Sequence, residues 1–239
     1  MMRTIFKAEH KAMNFVDHLD EMRTRLIYSV IVVSIFTIFG FTISGKILNF
    51  MIKPIPELVF ISPAEAFLVR LKIGLLAGVA ISSPFLLYQL ILFLLPALKS
   101  QERKGLLWIL PAAFLFFIGG VSFVNFLLLP VAIRFFLSYS TPKIHEMISL
   151  SNYVNFVLSF WVAGGAAFEL PLIMMGLGKI GVVKSQFLRK YRKESFLGIL
   201  IITAILSPSP DLFSWGLLSG CMYGLFELSI LFVRIVEKG

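Results

Sequence analysis

The sequence predicts an all-α membrane protein with six membrane-spanning helices, and three observations carry that prediction. First, 58% of the 239 residues are hydrophobic and 25 are phenylalanine; a soluble domain holds roughly 45–50% apolar residues. Mean hydropathy is +0.91. Second, several apolar runs reach ~20 residues, the length that crosses a ~30 Å hydrocarbon core. Third, the lysines and arginines behind a net charge of +9 cluster in short segments between those runs. Such clustering is the topology signal of membrane proteins, whose cytoplasmic loops are enriched in basic residues, and it argues against a nucleic-acid patch. The whole chain reads as one integral membrane domain, 1–239.

Taken in order, residues 1–25 are polar and basic, with Phe15, Leu19, Met22 and Leu26 spaced for one helical face. An amphipathic helix lying in the membrane interface is expected here, turning into the first span at 26–44. Glu21 and Arg25 stand four apart and are placed to pair. The first apolar run begins only near Leu26 and no small-residue cleavage site follows it, so a cleavable signal peptide is not expected.

Residues 45–63 contain Pro54, Pro56 and Pro63, which predict an extended, irregular loop. The second span covers about 64–95 and is longer than a bilayer requires. Its start carries Glu65, Arg70 and Lys72 and is expected to protrude; Pro84 is expected to kink it. The run then breaks at Pro96 into a short charged loop with Glu102, Arg103 and Lys104.

The third span covers about 106–136, with Pro111 and Pro130 near its ends and Asn125 inside. A polar loop follows, and residues 148–153 can start the fourth span early, before 153–177. That span holds Gly164, Gly165, Ala166 and Ala167 directly before Glu169. Small residues let helix backbones approach closely. The most basic loop, 179–194, precedes a fifth span at 195–206 of only a dozen residues, ~18 Å of helix and short for an average bilayer. The segment Ser207 to Asp211 makes a tight turn into the sixth span, 212–233. No internal repeat pairs one half with the other.

Six spans put the N-terminus, second loop, fourth loop and C-terminus on one side. These hold 5, 3, 6 and 2 basic residues, 16 of the 22 in the chain. The bias predicts both termini in the cytoplasm.

Chemistry-bearing patterns are few. Cys221 is the single cysteine, so no intrachain disulfide forms, and His10, His18 and His145 lack ligand spacing. No nucleophile set or phosphate loop is present. Neither an enzyme, a cofactor nor a metal is therefore expected. Glu169 stands inside an apolar segment, where an ionisable group is costly unless it faces protein or water. It reads either as a functional group in a polar cavity or transport path, or as a structural acid bonded across helices; Glu227 raises the same two readings nearer a helix end. Glu21 and Glu102 share the predicted cytoplasmic surface. Singly each reads as a solvated charge balancing its basic neighbours. Together they can accept guanidinium groups through paired hydrogen bonds that ammonium does not reproduce.

A series of motifs adds a further level. They are His18 to Leu26 (HLDEMRTRL), Ser62 to Phe67 (SPAEAF), Pro84 with Tyr88 and Gln89, Phe93 to Leu98 (FLLPAL) with Glu102 to Lys104, Gly165 to Pro171 (GAAFELP), Ser207 to Asp211 (SPSPD), and Tyr223 to Glu227. In this order the sequence resembles the TatC subunit of the twin-arginine protein translocase, from about Phe15 to Arg234.

The resemblance implies six helices in a concave, glove-like arrangement in the cytoplasmic (inner) membrane. It also implies a receptor for twin-arginine signal peptides of folded cargo, working with TatA and TatB type subunits, in a homo-oligomeric complex, among membrane lipid and without nucleic acid. By the same resemblance, Glu21, Arg23 and Glu102 serve arginine recognition, and Phe93 and Asp211 match other functional positions. Pro96 and Gln89 belong to the matching motifs, and Glu169 matches the acid of the membrane-embedded wall. Departures from the family pattern are Ile91 where Trp is frequent, Met22 for Leu, and SPSPD where TPPD is common, with one extra residue before Asp211. The short fifth span suggests local thinning of the bilayer. The competing reading is a proton-coupled secondary transporter of small solutes with Glu169 as the coupling carboxylate; a missing repeat and a single clear mid-span acid count against it.

Overall fold

The computed structural model describes residues 15–55, 58–94, 109–139, 147–179, 181–207 and 211–238. Among these residues the regular structure is helical, joined by short turns, with one isolated β-bridge between Val59 and Ser149. The helices are α1 (Phe15–Ile52), α2 (Pro63–Leu94), α3 (Ile109–Phe123), α4 (Leu129–Leu137), α5 (Leu150–Lys179), α6 (Ser185–Lys190), α7 (Arg192–Leu206) and α8 (Leu212–Lys238). A π-helical turn, Val124–Leu128, joins α3 to α4. Pro130 follows in the first turn of α4. Its missing N–H denies the Phe126 carbonyl an α-helical partner, and a wider turn absorbs that mismatch.

Five helical stretches have the length and composition to cross a membrane: Leu19–Ile52, Pro63–Leu86, Pro111–Leu137, Leu150–Lys179 and Leu212–Glu237. The expected fifth span corresponds to α7. It has 15 residues, which is ~22 Å of helix.

Two boundaries differ from the sequence reading. The expected interfacial helix and first span at 26–44 are one unbroken helix, α1, which runs on through Gly45 to Ile52. Proline-rich sequence stops the chain only after that point. Tertiary packing holds the extra turns: Met51 is buried, and its carbonyl accepts the Tyr153 hydroxyl at 2.6 Å. The short link to α2 is pinned as well. Val59 N–H donates to the Ile148 carbonyl at 3.0 Å, and Leu150 N–H donates to the Val59 carbonyl at 2.9 Å.

Glu65 completes that end of the molecule. It accepts hydrogen bonds from Ile61 N at 2.7 Å, Ser149 Oγ at 2.7 Å and Ser151 N at 2.7 Å. One carboxylate in the first turn of α2 thus caps the start of α5, where the helix dipole favours negative charge. The sequence reading had Glu65 only as a charge that protrudes. At the same end, Lys72 Nζ donates to Asn155 Oδ1 at 2.9 Å.

Small residues set the helix crossings. Gly40 of α1 faces Gly74 of α2, and Gly78 of α2 lies against Thr37 of α1. Gly74 and Gly78 form a GxxxG pair that the sequence reading passed over. The α3–α5 crossing uses Gly120 against Gly164, and a Cβ on Gly165 would meet the Phe117 ring at 2.5 Å. Here the expected close approach holds: Gly164, Gly165 and Ala167 are buried, while Ala166 is exposed. Trp161 Nε1 donates to Asn125 Oδ1 at 3.2 Å across this crossing. A polar residue inside an apolar span is satisfied there by a partner helix.

Apolar packing forms two clusters. One joins the end of α1, the start of α2, the π-turn, α4 and the first half of α5; the other joins the second half of α5 to α6, α7 and α8. Thr203 and Ser219 are buried and hydrogen-bonded to each other at 2.6 Å between α7 and α8. Trp215 Nε1 also donates to the Leu200 carbonyl at 2.9 Å. By contrast, Leu26, Ile27, Val30, Ile31, Ile35 and Ile38 of α1 are exposed, as side chains that face lipid are.

Candidate functional site

The predicted recognition residues start on the first turns of α1. Glu21 and Arg25 form the expected ion pair: Oε1 of Glu21 accepts Arg25 Nε at 3.0 Å and also Nη2. Arg25 reaches further and donates through Nη1 to Gln89 Oε1 of α2, at 3.2 Å. The guanidinium therefore ties the start of α1 to the end of α2, 64 residues on. Around it lies a cavity of about 480 Å³ lined by Asp20, Glu21, Thr24, Arg25, Tyr28 and Gln89. Arg23 is exposed and is not among these lining residues. The pairing of Arg25 with Glu21 was expected from their spacing; its bond to Gln89, 64 residues on, was not.

Pro96, Glu102, Arg103 and Lys104 lie outside the described residues, as do His10 and His145. Phe93 stands in the last turn of α2, and its side chain is likewise outside the described residues. Among the described residues no group of acids, His and Cys is placed to hold a metal ion.

Glu169 sits at half-buried depth on α5, with Oε1 shut off from solvent and without a hydrogen-bond partner among the described residues. Glu227 has a clear structural role. It accepts Arg192 Nη2 at 2.6 Å and the Tyr223 hydroxyl at 3.1 Å, which joins α8 to the start of α7. Of the two readings open for Glu227, the bonded structural acid is the one it occupies.

Asp211 is the N-cap of α8. Its Oδ1 accepts Ser214 N at 2.6 Å and its carbonyl accepts Trp215 N at 3.2 Å. Such a cap satisfies amides that the first helical turn leaves open. Asp211→Ala is expected to lower stability by about 1 kcal/mol, with Asp211→Asn retaining most of it, read as melting temperature of the detergent-purified chain. A transport defect in the Asn variant at unchanged melting temperature would point to a contact beyond the cap.

Residues 17–220 match the family model described as TatC, Sec-independent protein translocase protein. That match covers most of the chain. The chain belongs to the TatC family. Among similar proteins, the Sec-independent protein translocase protein TatC of Carboxydothermus hydrogenoformans is 34% identical over 233 residues, 96% of each chain. The protein of the same name from Synechocystis sp. is 34% identical over 228 residues, 95% of this chain and 90% of its own. A crystal structure of the twin-arginine translocase receptor TatC superposes with a TM-score of 0.81 at 32% identity, covering 92% of this chain and 99% of that one. The TatC family is one of multi-pass protein translocase components, and the reading as a solute transporter receives no support from these similarities.

Proposed function

We propose that this chain is the receptor subunit of a twin-arginine translocase, binding Arg-Arg signal peptides of folded cargo at a cytoplasmic face and nucleating the translocation complex. The observation that carries the reading is the Glu21–Arg25–Gln89 cluster. It presents a carboxylate already engaged with a guanidinium, in an open cavity, at the end of α2 from which the chain leads into Pro96 and Glu102. A site that holds one arginine through its carboxylate has the donor–acceptor match for another. Glu102 supplies the second acid, Arg23 and Phe93 contact the peptide, and the apolar stretch behind the arginines lies along the membrane-embedded helices.

In this reading α7 also crosses, as the fifth of six spans, both termini are cytoplasmic, and the membrane is the inner one. The 16 of 22 basic residues on that side support the orientation. The short α7 thins the bilayer locally and so eases passage of folded cargo. TatA and TatB type subunits and further copies of the chain complete the assembly, and the subunit performs no chemistry of its own.

The direct test is crosslinking from position 102 to signal peptides carrying Arg-Arg or Lys-Lys. Arg-Arg is expected to crosslink at least tenfold more, since ammonium lacks the planar fork; equal yields, or none, would refute the recognition model.

Glu169 is the acid that meets a polar residue of a partner helix within the membrane. Glu169→Gln keeps hydrogen-bonding capacity and removes charge. Transport assayed in vesicles is expected to fall severalfold if an ionised carboxylate is required, and full transport rules out an obligatory ionised form.

A further inference from the structure

A second cavity lies where α5 and α8 end, and shares no lining residue with the Glu21 cluster. It encloses about 590 Å³ and is lined by Gly178, Gly181, Val183, Lys184, Ser185, Gln186, Arg189, Arg234 and Glu237. Three cationic side chains face it against one carboxylate. That carboxylate is already committed: Glu237 accepts Ser185 N at 2.7 Å and also the Ser185 hydroxyl. It thereby anchors the start of α6 to the end of α8. Among the described residues no ion pair engages Arg189 or Arg234, and Lys184 acts on Glu237 only at longer range than a salt bridge, whereas Arg192 nearby is paired with Glu227.

Position in the membrane narrows the ligand. Helices α5 and α8 have 30 and 27 residues, which is ~45 and ~40 Å of helix. These lengths match a bilayer of ~40–45 Å including its headgroup layers, so helix ends fall at the depth of lipid phosphates. Gly178 packs against Val233, where an added Cβ would lie 3.0 Å from a Val233 methyl, which keeps the two helix ends together beneath the cavity. Beside the cations, Val182 and Phe187 are exposed, at 68% and 57%. Phe187 packs on Tyr191, with ring centroids 4.6 Å apart. Exposed apolar and aromatic side chains adjoining unpaired cations are the arrangement of a surface seated at a membrane interface.

We propose that this cavity binds the phosphate of an anionic phospholipid headgroup, with Arg189, Arg234 and Lys184 supplying the charge and Val182 and Phe187 meeting the acyl region. Guanidinium forks bind phosphate oxygens in pairs. A lipid held there ties α6, a six-residue helix, to the ends of α5 and α8. The inference is independent of the signal-peptide reading, because it uses none of that site's residues.

The probe is phosphatidylglycerol added to the full chain in neutral detergent, with phosphatidylcholine, whose phosphate is balanced by its own ammonium, as the zwitterionic comparison. Bound lipid is counted by native mass spectrometry. Phosphatidylglycerol is expected to be retained about tenfold more than phosphatidylcholine. Arg189→Gln with Arg234→Gln is expected to remove most of that preference, since each basic group near an anionic surface contributes about fivefold. Arg189→Lys with Arg234→Lys, which keeps the charge, is expected to retain about half of it or more. Should the double Gln variant fail to fold, Lys184→Gln leaves the Glu237–Ser185 bonds in place and is expected to reduce retention about fivefold. Equal retention of both lipids, or a preference unchanged in every Gln variant, overturns the proposal. A third arm adds inorganic phosphate: displacement of the lipid at equimolar phosphate would show a free-anion site and overturn the lipid assignment.

Discussion

Glu21→Gln is expected to weaken binding of an Arg-Arg signal peptide ten- to a hundredfold, measured by fluorescence anisotropy on the detergent-purified chain. Two effects add. The substitution removes a charge-assisted acceptor, and a hydrogen bond to a charged group contributes about 1.5–3 kcal/mol. It also releases Arg25 from its partner. The side chain that Oε1 of Glu21 now holds through Nε and Nη2 becomes an unbalanced cation in the same cavity, and it repels the incoming arginines. Discrimination between Arg-Arg and Lys-Lys is expected to fall with affinity, because an amide offers one acceptor oxygen where the carboxylate offers two for a bidentate guanidinium. Arg25→Gln separates the two effects. It removes the internal competitor while keeping the acid, so affinity is expected to hold or rise. Unchanged affinity in Glu21→Gln would take Glu21 out of the recognition site.

Gly78→Val is expected to be among the most damaging single substitutions in the helix framework, costing about 3 kcal/mol or more in thermal unfolding of the purified chain. A Cβ at this position would stand 2.6 Å from the backbone N and Cα of Thr37. Backbone atoms of a continuous helix cannot rotate aside as a side-chain end does, so α1 and α2 must separate. Gly74 meets the same limit, 2.9 Å from the backbone N of Phe41. The control is Gly198→Ala or Gly216→Ala, where nothing lies within 4 Å; helix propensity predicts a neutral or slightly stabilising change of up to about 1 kcal/mol. Because α1 and α2 together present Glu21, Arg25 and Gln89, Gly78→Val is also expected to weaken signal-peptide binding. Equal stability of the Gly78 and Gly198 variants would sink the close-approach account.

Glu65 shows how a residue can be visible in a sequence while its work is not. Its position in a Ser-Pro-Ala-Glu segment marks a helix start, and that reading holds for α2. Its bonds to Ser149 and Ser151, however, span 84 and 86 residues. No local pattern announces a carboxylate that caps a helix three elements away. Arg25 and Gln89 differ in degree only: the i,i+4 pair with Glu21 is legible from spacing, and the bond to Gln89 is not. Asp211 stands between these cases, since an acid before an apolar run is a recognisable helix start.

What the sequence determined alone was the class of molecule and most of its punctuation. Apolar length, clustered basic residues and prolines are properties of short stretches, and each acts through bilayer thickness or backbone stereochemistry wherever the chain goes. The ordered motifs likewise carried the family. Tertiary structure decided where α1 ends, since burial of Met51 and the Tyr153 bond outweigh a loop-like composition. It also decided which glycines are crossing points, what Glu227 and Glu65 bond to, and that Arg25 engages Oε1 of Glu21 while reaching Gln89. All of these depend on pairs of residues far apart in the chain, and the helix-packing register that brings such pairs together is a property of the assembled bundle.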